Sequence, residues 1–163
     1  MPVTPFHFGP GLFAKALAPR SVSMTAFGAA NVLIDTESVV NLVTGRTPVH
    51  ALLHTFPVAS AVGVAAGLLV ALIGRALRRA TGSEWSLRPA LFGGILGGAS
   101  HPLFDGLMHP DIRPFLPLSG ANPLLGLVGL DLLHALCAGA GAAGLAVLSW
   151  RAHRVARPSP PRG

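Results

Sequence analysis

Histidine and carboxylate recur at helical spacing within the apolar stretches of this 163-residue chain. ASHPLFDGLMHPD, residues 99–111, carries His101, Asp105 and His109 four apart. At about 100° per residue such positions drift by only about 40° per step, so they share one helical face. His101 and Asp105 lie one turn apart and can hold one ion together. VHALLHTF offers His50 and His54 at the same spacing, a zinc-type pair. VLIDTE offers Asp35 and Glu37, with Asn31 four residues before Asp35; Asp131 and His134 stand three apart in a further segment.

Buried carboxylates beside imidazoles need pairing or a cation. Five of the six acids (Asp35, Glu37, Asp105, Asp111 and Asp131) lie in or beside apolar segments, and only Glu84 sits in a basic loop. A divalent metal is the economical partner, with His101, Asp105, His54, Asp35 and His50 as candidate ligands. Nitrogen and oxygen donors without thiolate fit Zn²⁺, with Mn²⁺ or Fe²⁺ as alternatives. An ion with an open position makes water a nucleophile near neutral pH. Glu37, as general base, and His109 are the candidate catalytic groups. The one cysteine, Cys137, excludes an internal disulfide and cysteine zinc motifs.

The elements that must position these groups read as membrane helices. Only 11% of the chain is charged and its mean hydropathy is +0.60, far from a soluble domain. Segments 54–77, 88–108 and 122–150 are each long enough to cross a hydrocarbon core of roughly 30 Å. Segment 23–43 is the weakest span, because each central acid costs roughly 2.5–3.5 kcal/mol on insertion scales. The expected fold is all-α: a polytopic membrane helix bundle of about four transmembrane helices with a short N-terminal re-entrant or interfacial segment. Residues 1–150 form one membrane-embedded domain and 151–163 a basic, proline-rich cytoplasmic tail.

Ten of the twelve basic residues lie before the first span, between the second and third, or after the last. The positive-inside rule then places both termini in the cytoplasm. No basic patch interleaved with aromatics suggests nucleic acid; the expected partner is the lipid bilayer. Gly93, Gly94, Gly97 and Gly98 provide small-residue stripes for close helix packing.

The order PFHFG, VLIDTE, HALLHTF and GGASHPLFDGLMHPDIRPFLP resembles the LexA-regulated, membrane-bound, predicted metal-dependent hydrolases of bacterial inner membranes. The resemblance covers roughly residues 5 to 118 and is most specific at Ser100, His101 and Asp105. It implies a multi-pass inner-membrane hydrolase and adds His7 to the metal ligands. Here the paired-histidine stretch is shorter and more apolar than the family pattern, and Asp35-Thr36-Glu37 replaces two aspartates followed by histidine. The histidine-x-x-x-aspartate element is also similar to zinc-dependent phospholipases C, which favours a phosphoester or lipid substrate. The charge-derived topology separates His7 from the other ligands unless PFHFGPGLFAKALA folds inward. Metal or proton transport, and haem binding through facing histidines, are the alternatives.

Overall fold

The computed structural model describes residues 5–77 and 83–155. Among them five α-helices are present and no strand: α1 (Phe8–Leu17), α2 (Met24–Thr44), α3 (Phe56–Ala76), α4 (Leu87–Met108) and α5 (Leu130–Val155). A 3-10 turn, Pro5–His7, leads directly into α1.

Proline and glycine set the boundaries. Ser23 caps α2, its hydroxyl oxygen accepting the Ala26 backbone N–H at 3.2 Å. Gly45, at φ 67, closes the same helix in the left-handed conformation that glycine adopts without strain. α3 starts at Phe56, with Pro57 in its first turn. Extending that helix backwards would set the Pro57 ring against the Leu53 carbonyl. His50 and His54 therefore lie in the turn before α3, with Leu52–His54 in 3-10 form, and not on one face of an α-helix as expected. α4 ends at Met108 because the next residue, His109, precedes Pro110 and is extended (φ −110, ψ 123). His109 thus leaves the helical face of His101 and Asp105. α5 begins at Leu130, eight residues later than the expected 122, after Pro123 and the positive-φ Gly126. Asp131 and His134 consequently fall in its first turns.

The helices alternate in direction. At one end Lys15 pairs with Glu84, and Glu84 Oε2 also accepts the Thr25 backbone N–H at 3.4 Å. Burial alone would raise the Glu84 carboxyl, but the Lys15 ammonium holds it below the usual range. Arg20 shares one groove with Arg88 and another with Arg151 and Arg154, so cations gather at this end. At the other end of α5 His134 stacks on Phe6, with ring centroids 4.2 Å apart. Gly9 packs on Cys137 and Leu12 on Gly144, so α1 and α5 run parallel, and Phe6 and Val155 lie at opposite ends of the pair. α5 continues as helix through Arg151 to Val155. The rest of the expected tail, with Arg157 and Arg162, and Arg78 and Arg79 of the basic loop lie outside the described residues.

α4 is central, packing on both α2 and α3, while α5 packs chiefly on α1. Its glycines divide between two neighbours. A Cβ on Gly93 or Gly97 would meet the carbonyl of Ser23 or Phe27 on the α2 side; one on Gly94 or Gly98 would meet that of Gly63 or Ala59 on α3. Small residues and polar groups fill the interior, whereas Val32, Val40, Leu69, Leu72, Phe92 and Leu136 are exposed. Among the described residues two helices, α3 and α5, are long and apolar enough to cross a membrane, against the four expected. α2 and α4 match them in length but carry the polar residues described next.

Candidate metal centre

The ligand candidates arrive from four elements. α2 supplies Asn31 and Asp35 from successive turns of one buried face. α4 supplies His101 and Asp105 in the same way. The turn before α3 supplies His54, and the 3-10 turn before α1 supplies His7. All are nearly inaccessible: His54 and His101 are 0% exposed, His7 and Asp105 2%, and Asp35 6%.

Asp105 is the hub. Its Oδ1 lies 3.0 Å from His7 Nε2, while Oδ2 lies 3.3 Å from His101 Nε2 and 3.6 Å from His54 Nε2. His101 Nε2 is also 3.4 Å from Asp35 Oδ1. Ligand atoms from Asp35, His54, His101 and Asp105 all lie within 4.8 Å of one another. Yet His7 Nε2, Asp35 Oδ1, His101 Nε2 and Asp105 Oδ1 are buried without a hydrogen bond: the atoms approach, but their directions miss. Such orphaned polar atoms are costly. A cation among them removes that cost.

The imidazoles are held from behind. His101 Nδ1 meets Asn31 Oδ1 at 2.9 Å, which accepts the ring N–H and leaves the Nε2 lone pair facing the carboxylates. His54 Nδ1 meets Glu37 Oε2 at 3.3 Å; its Nε2 faces Asp105 and can accept from the Ser38 hydroxyl at 3.2 Å. These tautomers follow from the acceptors present, which fixes the donor nitrogen. Carboxylate or carbonyl support behind a ligating histidine is the usual second layer of a metal site.

Glu37 does not face the cluster. Its two oxygens accept the backbone N–H groups of Ala51, Leu52 and Leu53 at 2.9–3.1 Å, as well as the His54 ring. The expected general base is thus occupied in folding the turn that carries His54. His109, half-buried, stacks on His50 with centroids 4.3 Å apart, and the His50 ring in turn meets that of His54 at 4.9 Å. His50 Nδ1 lies 2.9 Å from Asp111 Oδ1, and Asp111 Oδ2 accepts the His50 backbone N–H at 3.0 Å. Partial burial would raise the Asp111 carboxyl, but these two bonds from His50 hold it below the ordinary range.

The inward fold of PFHFGPGLFAKALA places His7 against Asp105. Asn31, Ser38 and Asp111 were not singled out as site residues from the sequence. Asn31 had a signal, its four-residue spacing to Asp35 on the same face; Asp111, beyond a helix-ending proline, had none. No family model, curated protein or solved structure matches the chain.

Proposed function

We propose that the chain is an integral membrane, metal-dependent hydrolase acting on a phosphoester or lipid substrate. Asp35, His54, His101 and Asp105 hold the divalent ion. The observation that carries this reading is the convergence of their ligand atoms within 4.8 Å, with several of those atoms buried and unbonded. The donor set of two imidazoles and two carboxylates fits Zn²⁺, Mn²⁺ or Fe²⁺. A bound ion supplies Lewis acidity and activates water near neutral pH. Asn31 and Glu37 fix the His101 and His54 rings, and His7 Nε2 stands 3.0 Å from Oδ1 of Asp105.

The membrane setting is part of the proposal. Large aliphatic side chains outside and glycine, alanine and polar groups inside are the arrangement of a lipid-embedded bundle. In our reading α2 and α4 cross beside α3 and α5, their polar residues satisfied within the bundle. The basic end faces the cytoplasm and the ligand cluster lies toward the opposite side. The bacterial inner membrane and the LexA-regulated hydrolase family are the assignments that the motif order suggests.

The test is the full chain purified in detergent, stripped by chelator and reloaded with Zn²⁺ or Mn²⁺, then assayed on a chromogenic phosphodiester. Hydrolysis that disappears on stripping and returns on reloading is the expected result. Firm metal binding without hydrolysis, combined with ion flux in proteoliposomes, would overturn the hydrolase reading in favour of transport. A Glu37→Gln substitution tests the support behind His54. It is expected to weaken metal affinity about 10–100-fold, the usual effect of losing such a partner, as read by competition with a chromogenic chelator.

A further inference from the structure

We infer that Asp105 bridges two metal ions, the second held by His50 and His109. This rests on the metal-centre reading above and extends it from one ion to a pair. The ligand atoms of His50, Asp105 and His109 lie within 4.8 Å of one another, forming a second group that shares only Asp105 with the first. His50 Nε2 is independently buried and has no hydrogen-bond partner, in a residue 5% exposed.

The geometry around His50 repeats that of the first group. Asp111 grips both the backbone N–H and the Nδ1 of His50, so the ring presents its Nε2 lone pair on the far side. His101 and His54 are anchored through Nδ1 in the same manner, on Asn31 and Glu37. Three imidazoles thus share one mode of support, and each directs Nε2 away from it. The helix break at His109 has a consequence here. An α-helix continued past Met108 would keep His109 in register with Asp105 on α4, whereas the extended residue swings it onto the His50 ring.

A carboxylate has two oxygens and can serve two cations at once. Bridged pairs with ions about 3.5–4 Å apart stabilise both the attacking and the leaving oxygens in phosphoester displacement. The first site is buried among α2, α4 and the turn before α3, its ligand residues 0–6% exposed. The second lies beside the half-buried His109, near the partly exposed Asp111, and is the one a substrate phosphoryl group reaches. Substrate class and site architecture agree on this point.

Stoichiometry decides the matter without reference to activity. The full chain in detergent is dialysed to equilibrium against Mn²⁺ or Zn²⁺, and bound metal per chain is measured by mass spectrometry. Electron paramagnetic resonance of the Mn²⁺ form accompanies it. Two ions per chain and an exchange-coupled Mn²⁺ signal are expected. His109→Ala and the more conservative His50→Gln should each retain one ion and lose the coupling. One ion per parent chain with an uncoupled signal would overturn the pair and leave the single-ion hydrolase intact. No bound ion would overturn both. A His109→Ala protein that keeps two coupled ions also excludes this assignment.

Discussion

Asp105→Asn is expected to empty the centre and abolish hydrolysis while leaving the helices formed. The amide has the shape of the carboxylate but carries no charge and points one N–H₂ donor at the imidazoles. Asp105 contacts three histidines, His7, His54 and His101, at 3.0–3.6 Å, and it is the one residue common to both ligand groups. Loss of a supporting partner typically lowers metal affinity about 10–100-fold. Loss of a shared direct ligand should exceed that, so a fall of at least about 100-fold is expected in both occupancy and rate. Removing one partner of a buried charged cluster also costs about 3–5 kcal/mol where the remaining charge is left uncompensated. Metal content and activity are measured together, with circular dichroism as the check on helicity. An Asp105→Asn protein with the parent's metal content would reduce the cluster to a hydrogen-bonded structural pair.

Gly94→Leu is expected to break the bundle and, through it, the centre. Gly94 faces Gly63 across the α3–α4 interface so closely that an added Cβ would strike the Gly63 carbonyl oxygen, with Gly67 N at 3.0 Å. The obstacle is backbone, which cannot rotate aside as a side chain can. Even alanine there forces the helices apart, and overpacking of this kind costs about 1–3 kcal/mol. Leucine adds three further carbons to the same gap. Separation of α3 from α4 moves the turn carrying His54 away from His101, and a displacement of about 1 Å can cost about 100-fold in rate. Gly139→Leu is the matched control, because nothing lies within 4 Å of a Cβ at that position on α5. Thermal unfolding in detergent should show Gly94→Ala lowered, Gly94→Leu lowered much further or not recoverable as folded protein, and Gly139→Leu close to the parent. Equal stability of the two leucine variants would remove close glycine packing as the device that brings the ligands together.

The sequence by itself determined what local chemistry controls. Apolar composition and helical spacing give an all-helical chain. Proline gives α4 its limits to within a residue, 88–108 expected against Leu87–Met108 found, since Pro89 suits a first turn and Pro110 forbids helix at the residue before it. The same period aligns Asn31 with Asp35 and His101 with Asp105, because residues four apart share a face wherever the helix packs. Local proline chemistry also explains the two register errors: Pro57 keeps His50 and His54 out of α3, and Pro110 turns His109 away from α4. Both prolines are in the sequence, and they outweigh the four-residue spacing because each forbids the helical backbone that the spacing needs.

Tertiary structure alone decided which faces meet. Asn31 and His101 are 70 positions apart and their contact depends on how α2 docks on α4. His7 reaches Asp105 because α1 starts at the ligand end, beside the start of α5, and runs parallel to α5 toward Glu84, a placement that charge counting between spans does not capture in a segment too short to cross. Glu37 lies two residues from Asp35, hence about 200° around α2, and whether that opposite face meets water, lipid or a turn is set by the chain between α2 and α3. It meets the three backbone N–H groups of Ala51, Leu52 and Leu53, which makes it the support of His54. Spacing along one helix is a property of that helix; a ligand set drawn from three elements is a property of their packing, fixed here by glycines that let backbones touch.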